Sequence, residues 1–292
     1  MLGARFIDRV GKVIRGAPRD ALIADVTPPA VRGAAYGLRQ ALDSVGAFAG
    51  PLLAVLLMAL FADRIRVALW WAVLPAVISV ALVVFAVPEP AGRLPNGQRG
   101  APIKRADIVG LGRGYWAVVG LGVLFTMARF SEAFLILKGQ AAGLPLTLVP
   151  LVMVGMNVVY AATSAPAGAL SDRIGRHGLL AAGMGVLALA DLVLAMVPGL
   201  GGLFAGTALW GLHMALSQGL LSALVADSAP EALRGTAFGV FNLATGGTLL
   251  LASVLAGVLW QAGGPDAPFA VGGAFALAAT LVALYPAGRS RL

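Results

Sequence analysis

The stretch ALIADVTPPAVRGAAYG, Ala21 to Gly37, recurs as ALVADSAPEALRGTAFG, Ala223 to Gly239, 202 residues further along the chain. Ala24, Asp25, Pro28, Ala30, Arg32, Gly33, Ala35 and Gly37 come back as Ala226, Asp227, Pro230, Ala232, Arg234, Gly235, Ala237 and Gly239. Each copy reads as an apolar run, a short charged turn containing proline, and Arg-Gly opening a second apolar run. That pattern predicts two hydrophobic helices joined by a tight polar hairpin, repeated in parallel about half a protein apart. A spacing of 202 residues is far too long for a solenoid.

Working outward, composition fixes the solvent. With 59% hydrophobic residues, 12% charged residues and a mean hydropathy of +0.90, the chain cannot coat a water-soluble globule, and its partner is a lipid bilayer. The formal charge of +8 does not point to nucleic acid, because the basic residues sit in one amphipathic helix and in loops between long apolar runs. The absence of cysteine excludes disulfides and cysteine-based metal sites. No nucleophile or metal-ligand constellation is present, so neither an enzyme nor a cofactor is expected. Gly11-Lys12 fails as a phosphate loop, since Phe6 stands where a glycine is required.

The apolar runs predict an all-α polytopic membrane protein with nine spans. The first is a charged helix in which Arg5, Asp8, Arg9, Lys12, Arg15, Arg19 and Asp20 share one face. Each such charge costs ~2.5 to 3.5 kcal/mol at the centre of a lone helix, so this stripe must face protein or a water-filled cavity. Gly33 to Phe61 and Val67 to Val87 follow, then Gly114 to Leu137, Pro145 to Leu170, Arg176 to Val197, Leu203 to Val225, Gly235 to Trp260 and Pro268 to Tyr285. Residues 1–88 form a three-helix N-terminal part, 89–112 a Pro-, Gly- and Arg-rich cytoplasmic linker, and 113–292 a six-helix C-terminal bundle. Folding the first two helices about Pro28 and Pro29 sets Asp20 level with Arg39 and Arg15 level with Asp43, two expected intramembrane ion pairs. The positive-inside rule places Arg32, Arg93 to Arg113, Arg173, Arg176, Arg234 and the C-terminus on the cytoplasmic side of the cell membrane, and Asp266 outside.

Gly168-Ala-Leu170-Ser-Asp172-Arg173-Ile-Gly175-Arg176-His177 joins two predicted spans on that cytoplasmic side. It resembles the loop motif of the major facilitator superfamily. Gly46, Gly50 and Pro51 match part of the family's antiporter motif, although Ala54 and Val55 replace its last two glycines. The resemblance covers essentially the whole chain. It departs in one respect: the family has twelve helices, and the repeat aligns the nine predicted here with numbers four to twelve. The resulting expectation is a coding sequence that continues upstream in frame, with the 292-residue chain unstable, inactive or regulatory by itself.

What the resemblance implies is secondary transport of a small solute by alternating access, coupled to protons and leaning to export, with organic-anion import as the alternative. Gly168, Asp172, Arg173, Gly175 and Arg176 would form a gating latch in which Asp172 binds the start of the helix opening at Gly33. Gly46, Gly50 and Pro51 would allow a bend and close helix approach. The substrate cavity would be lined by Arg9, Lys12, Arg15, Thr126, Arg129, Glu132, His213, Ser217 and Gln218. Arg129 and Glu132 read as an i, i+3 helical pair, and Glu132 is the expected proton-coupling acid. Asn157 and Asp191 are intramembrane polar residues without a role.

Overall fold

The computed structural model describes residues 16–61, 65–86, 105–145 and 148–284, and every regular element among them is helical. Residues 16–26 form α1. There follow α2 (Arg32–Leu60), α3 (Ile65–Ala86), α4 (Arg105–Val109), α5 (Gly112–Ala128) and α6 (Ala133–Ala141). The chain continues through α7 (Pro150–Ile174), α8 (Arg176–Met196), α9 (Gly199–Ser228), α10 (Arg234–Gly263) and α11 (Ala267–Leu284). Five helical stretches are long and apolar enough to cross a membrane: Gly112–Ala141, Pro150–Ile174, Arg176–Met196, Gly199–Ser228 and Glu231–Gly263. Of the other expected spans, Gly33 to Phe61 is present as α2, Val67 to Val87 and Pro268 to Tyr285 run past the described residues at their ends, and the charged first one lies largely outside them. The fold is an all-α polytopic membrane protein.

The two copies of the repeat fold alike. Each turns through a 3-10 segment at equivalent positions, Pro29–Val31 and Glu231–Leu233. The preceding prolines have nearly the same backbone angles, φ −56° and ψ 142° at Pro28, φ −55° and ψ 144° at Pro230. In both, the proline carbonyl accepts a bond from the residue three further on, Val31 at 3.1 Å and Leu233 at 2.9 Å. Proline's fixed φ and missing N–H end one helix and start the next turn.

Packing divides the chain into two compact units, Met1–Ser44 with Ile103–Leu292, and Val45–Pro102. In the larger, α9 is flanked by α7 and α8, α8 packs also on α11, and α10 packs on α5. Without a hydrophobic force between helices in lipid, close approach depends on small residues. Gly183 lets Leu216 in, where an added Cβ would lie 3.1 Å from the leucine Cβ, and Gly206 would meet Leu194 at 2.5 Å. Hydroxyls are satisfied inside their own helices, as in Thr207 to the Leu203 carbonyl at 2.7 Å and Thr280 to Ala276 at 2.8 Å. In the smaller unit, Phe61 stacks on Trp71 with ring centroids 6.1 Å apart. Trp70, Val77 and Phe85 of α3 are exposed there, as befits a helix built for apolar surroundings.

The short helix α4 lies within the expected linker. One expectation needs correction: the helix expected over Gly114 to Leu137 is broken between α5 and α6. Arg129 adopts extended backbone, φ −112° and ψ 111°. Phe130 inserts edge-on among Phe134, Trp210 and Phe269 at 5.2 to 5.4 Å. The Ser131 N–H donates to the Ser253 hydroxyl at 3.2 Å, replacing a bond the helix has lost. Aromatic packing and one hydroxyl from α10 therefore hold the chain open at mid-span.

Candidate functional site

Two polar constellations lie in the larger unit. The first is where the repeats turn. Asp172, in the last turn of α7, accepts the N–H of Gly33 on Oδ1 at 2.9 Å and that of Ala34 on Oδ2 at 2.8 Å. These are free donors at the start of α2, where the helix dipole also favours an anion. The contact needs bare backbone on both sides. A Cβ on Gly33 would lie 2.6 Å from the Gly168 carbonyl, and one on Gly168 would lie 2.8 Å from the Gly33 carbonyl carbon. One turn on, Gly37 faces the carbonyl of Ser164 and would meet Gly168 Cα at 3.2 Å. Gly175, at φ 92°, makes the sharp turn between α7 and α8 that an L side chain would strain. Arg176 then reaches Asp172 at 3.5 Å and also binds Asp227. Arg173 is exposed and makes no ion pair among the described residues.

The repeat copies bind each other through the same residues. Arg32 pairs with Asp227 at 2.7 Å, and its repeat equivalent Arg234 pairs with Asp25, the equivalent of Asp227, at 2.8 Å. Each arginine also donates to a carbonyl of its own copy, Arg32 to Ala24 at 3.0 Å and Arg234 to Ala226 at 3.4 Å. Tyr36 and its equivalent Phe238 meet with ring centroids 6.1 Å apart. Equivalent residues in reciprocal contact mark a local two-fold relation between the copies. Both arginine side chains are 7% exposed while Asp227 and Asp25 keep 35% and 20%, so these are part-buried pairs in which loss of an aspartate would leave a buried cation without its partner.

The second constellation lies deeper. Asp20 is 3.5 Å from Arg39 and 3.4 Å from Arg19, while Asp43 is 3.1 Å from Arg39 and 3.5 Å from Arg19. The Tyr36 hydroxyl donates to the Asp20 carbonyl at 2.6 Å. Two arginines and two aspartates thus neutralise one another. Across from them, at the α5/α6 break, Arg129 and Glu132 form no ion pair with each other or with any described residue. Nη1 of Arg129 is buried without a hydrogen-bond partner.

Of the residues expected to line a cavity, Arg9, Lys12 and Arg15 lie outside the described set, and with them the Arg15 side of the pair with Asp43. Thr126 is spent on its own helix, donating to the Gly122 carbonyl at 2.8 Å. His213 is 1% exposed, stacks on Phe125 and is bonded through Nδ1 to the Gly183 carbonyl of α8 at 2.7 Å. Ser217 is also buried and donates to the His213 carbonyl at 2.9 Å. Both are thus buried and bonded within the bundle, and Gln218 is half-buried. The i, i+3 reading of Arg129 and Glu132 falls with the helix break. A Cβ on Gly46 or Gly50 would meet nothing within 4 Å among the described residues. Sequence reading missed Arg19 and the reciprocal Arg32 and Arg234 pairs. Both copies of the repeat carry the same acid and the same arginine, a signal that marks the residues but not their pairing across copies.

Comparison with known proteins agrees with this architecture. The family model described as Major Facilitator Superfamily matches residues 1–153 and again 119–291. An uncharacterized MFS-type transporter of Methanocaldococcus jannaschii is 30% identical over 289 residues, 96% of this chain and 70% of that protein. An uncharacterized protein of Mycobacterium tuberculosis is 26% identical over 262 residues, and the match spans 63% of its length, less than two thirds. Among solved structures, the human organic anion transporter MFSD10 superposes with a TM-score of 0.68 at 19% identity, over 91% of this chain and 67% of that one. By the match of the family model along its whole length, the chain belongs to the Major Facilitator Superfamily, a family of membrane transporters.

Proposed function

We propose that the protein moves a small organic anion across the cytoplasmic membrane by alternating access, with the seam between α2 and α7 as its cytoplasmic gate, closed in this structure. The observation that carries the substrate class is Arg129. It is a cation at the break in a spanning helix, with a buried donor that no group among the described residues satisfies. Broken helices at mid-membrane are where transporters of other folds bind solute. A carboxylate or similar acceptor would complete the guanidinium's bonding and offset its charge. The fold neighbour's description as an organic anion transporter supports the same class.

Glu132, three residues on and also unpaired, is the proposed proton-coupling acid. The partial antiporter match at Gly46, Gly50 and Pro51 supports export against protons. The latch reading rests on Asp172, whose two bonds to Gly33 and Ala34 exist only while α7 and α2 touch. The excess of basic residues in the loops supports a cytoplasmic C-terminus. The test is flux of aromatic carboxylates in proteoliposomes with and without a proton gradient. Glu132→Gln should abolish gradient-driven flux while sparing exchange. Equal loss of both modes would make Glu132 a structural residue.

A further inference from the structure

Asp191, in the second half of α8, is fully buried, and neither of its carboxyl oxygens has a hydrogen-bond partner. It stands where α8 crosses α11 at two consecutive glycines. A Cβ on Gly272 would lie 2.8 Å from Asp191 Oδ2, and one on Gly273 would lie 3.1 Å from Asp191 Cβ. Space that hydrocarbon could fill is therefore left open to a carboxyl group. The same Gly272 position is 3.0 Å from Phe130 Cε1 and 3.6 Å from the carbonyl of Ala128, the last residue of α5. Asp191 and the Phe130 ring at the α5/α6 break thus flank the same glycine of α11.

No countercharge compensates it. Among the described residues α11 brings no titratable group, and the acids and bases of the other neighbours are engaged or apart. His213 of α9 is bonded to Gly183, and Asp227 is paired with Arg32 and Arg176. Asp172 of α7 caps α2, Arg173 is exposed, and Tyr160 is buried on α7 and makes no bond to Asp191. On α8 itself, Arg176 is paired and His177 is exposed. Arg129 and Glu132 make no bond to Asp191. An ionised carboxylate without donors in such a place costs far more than a neutral carboxylic acid.

We propose that Asp191 is a proton-binding site of the protein, occupied by a proton in the conformation seen here and exchanging it with water when the α5/α6 break shifts Phe130. The step adds one proton from bulk water to a carboxylate oxygen and returns it to water, with no other bond made or broken. It stands apart from the identity of the solute and from any role of Glu132.

Infrared spectroscopy of the protein in lipid provides the first test. The C=O stretching band of a protonated carboxyl should persist at neutral pH, vanish in Asp191→Asn and remain in Glu132→Gln. Absence of the band from the unsubstituted protein, or its survival in Asp191→Asn, overturns the proposal. Absence of the band from the unsubstituted protein refutes the proposal even if the variant does not fold. Coupling to the break is read by thiol labelling of Ser131→Cys, on a chain that has no other cysteine. Corrected for the thiolate fraction of the cysteine, labelling should accelerate several-fold as pH rises, and Asp191→Asn should remove that remaining dependence. A corrected rate independent of pH in both backgrounds would reduce Asp191 to a packing residue and overturn the link.

Discussion

Replacing Asp172 by asparagine perturbs the seam between α2 and α7 with almost no change in shape. The native carboxylate accepts two backbone N–H bonds, at 2.9 and 2.8 Å, and lies 3.5 Å from Arg176. Hydrogen bonds to a charged acceptor contribute about 1.5 to 3 kcal/mol each, against about 0.5 to 1.5 kcal/mol for neutral ones. Asparagine keeps one acceptor oxygen and turns its NH2 group on the second N–H. It also gives up about 0.3 to 1 kcal/mol of charge at a helix start. Allowing for solvent at the edge of the seam, the contact should weaken by about 1 to 3 kcal/mol, a shift of roughly 5- to 150-fold towards the open arrangement. Ser164→Cys reports it directly. Ser164 is 1% exposed behind the seam, and its carbonyl faces Gly37. The maleimide labelling rate at that cysteine should rise by the same factor in Asp172→Asn while thermal unfolding of the bundle is little changed. An unchanged rate would refute the latch and leave Asp172 as a helix cap in a static structure.

Other expectations follow from the same geometry. Gly168→Ala must push two backbones apart and should cost about 1 to 3 kcal/mol of stability in the closed arrangement. Gly235→Ala, at the repeat equivalent of Gly33 where an added Cβ meets nothing within 4 Å, should be neutral or gain up to about 1 kcal/mol; thermal unfolding of both variants checks the contrast. A double-mutant cycle on Arg32 and Asp227 should give a coupling of about 0.5 to 3 kcal/mol, and a value near zero would remove the reciprocal pairing as a stabilising contact. Glu231, 86% exposed, and Asp266, 58% exposed, flank α10. That helix has 30 residues and is about 45 Å long. Single cysteines there should be labelled from opposite faces of the membrane, and same-side labelling would break the topology.

The helical hairpins were legible because their signals are local: proline and Arg-Gly at fixed positions, apolar runs on either side, and a repeat that states the pattern twice. The Asp20 and Arg39 pair was legible for the same reason, since a tight turn at Pro28 fixes the level of the two helices. Which rotation each helix adopts was not, so Arg19 entered the cluster unforeseen. The break after Ala128 depends on Phe130 finding Trp210 and Phe269, which are remote in sequence. Hydropathy reads straight across such a break. Likewise each repeat copy contains its own aspartate and arginine, and only assembly about the local two-fold decides that they pair across copies. Asp191 could be flagged as a polar residue in an apolar run, but the glycines that make room for it lie on another helix.

Counterflow tests the central claim most directly, because a site open to one side at a time must exchange solute, whereas a channel has no such requirement. Proteoliposomes containing the protein and preloaded with an unlabelled aromatic carboxylate should transiently concentrate the same compound, labelled, from outside. Arg129→Gln should abolish this accumulation, and the same experiment with an organic cation should show none. No accumulation with any small anion, or accumulation that survives Arg129→Gln undiminished, would contradict the account.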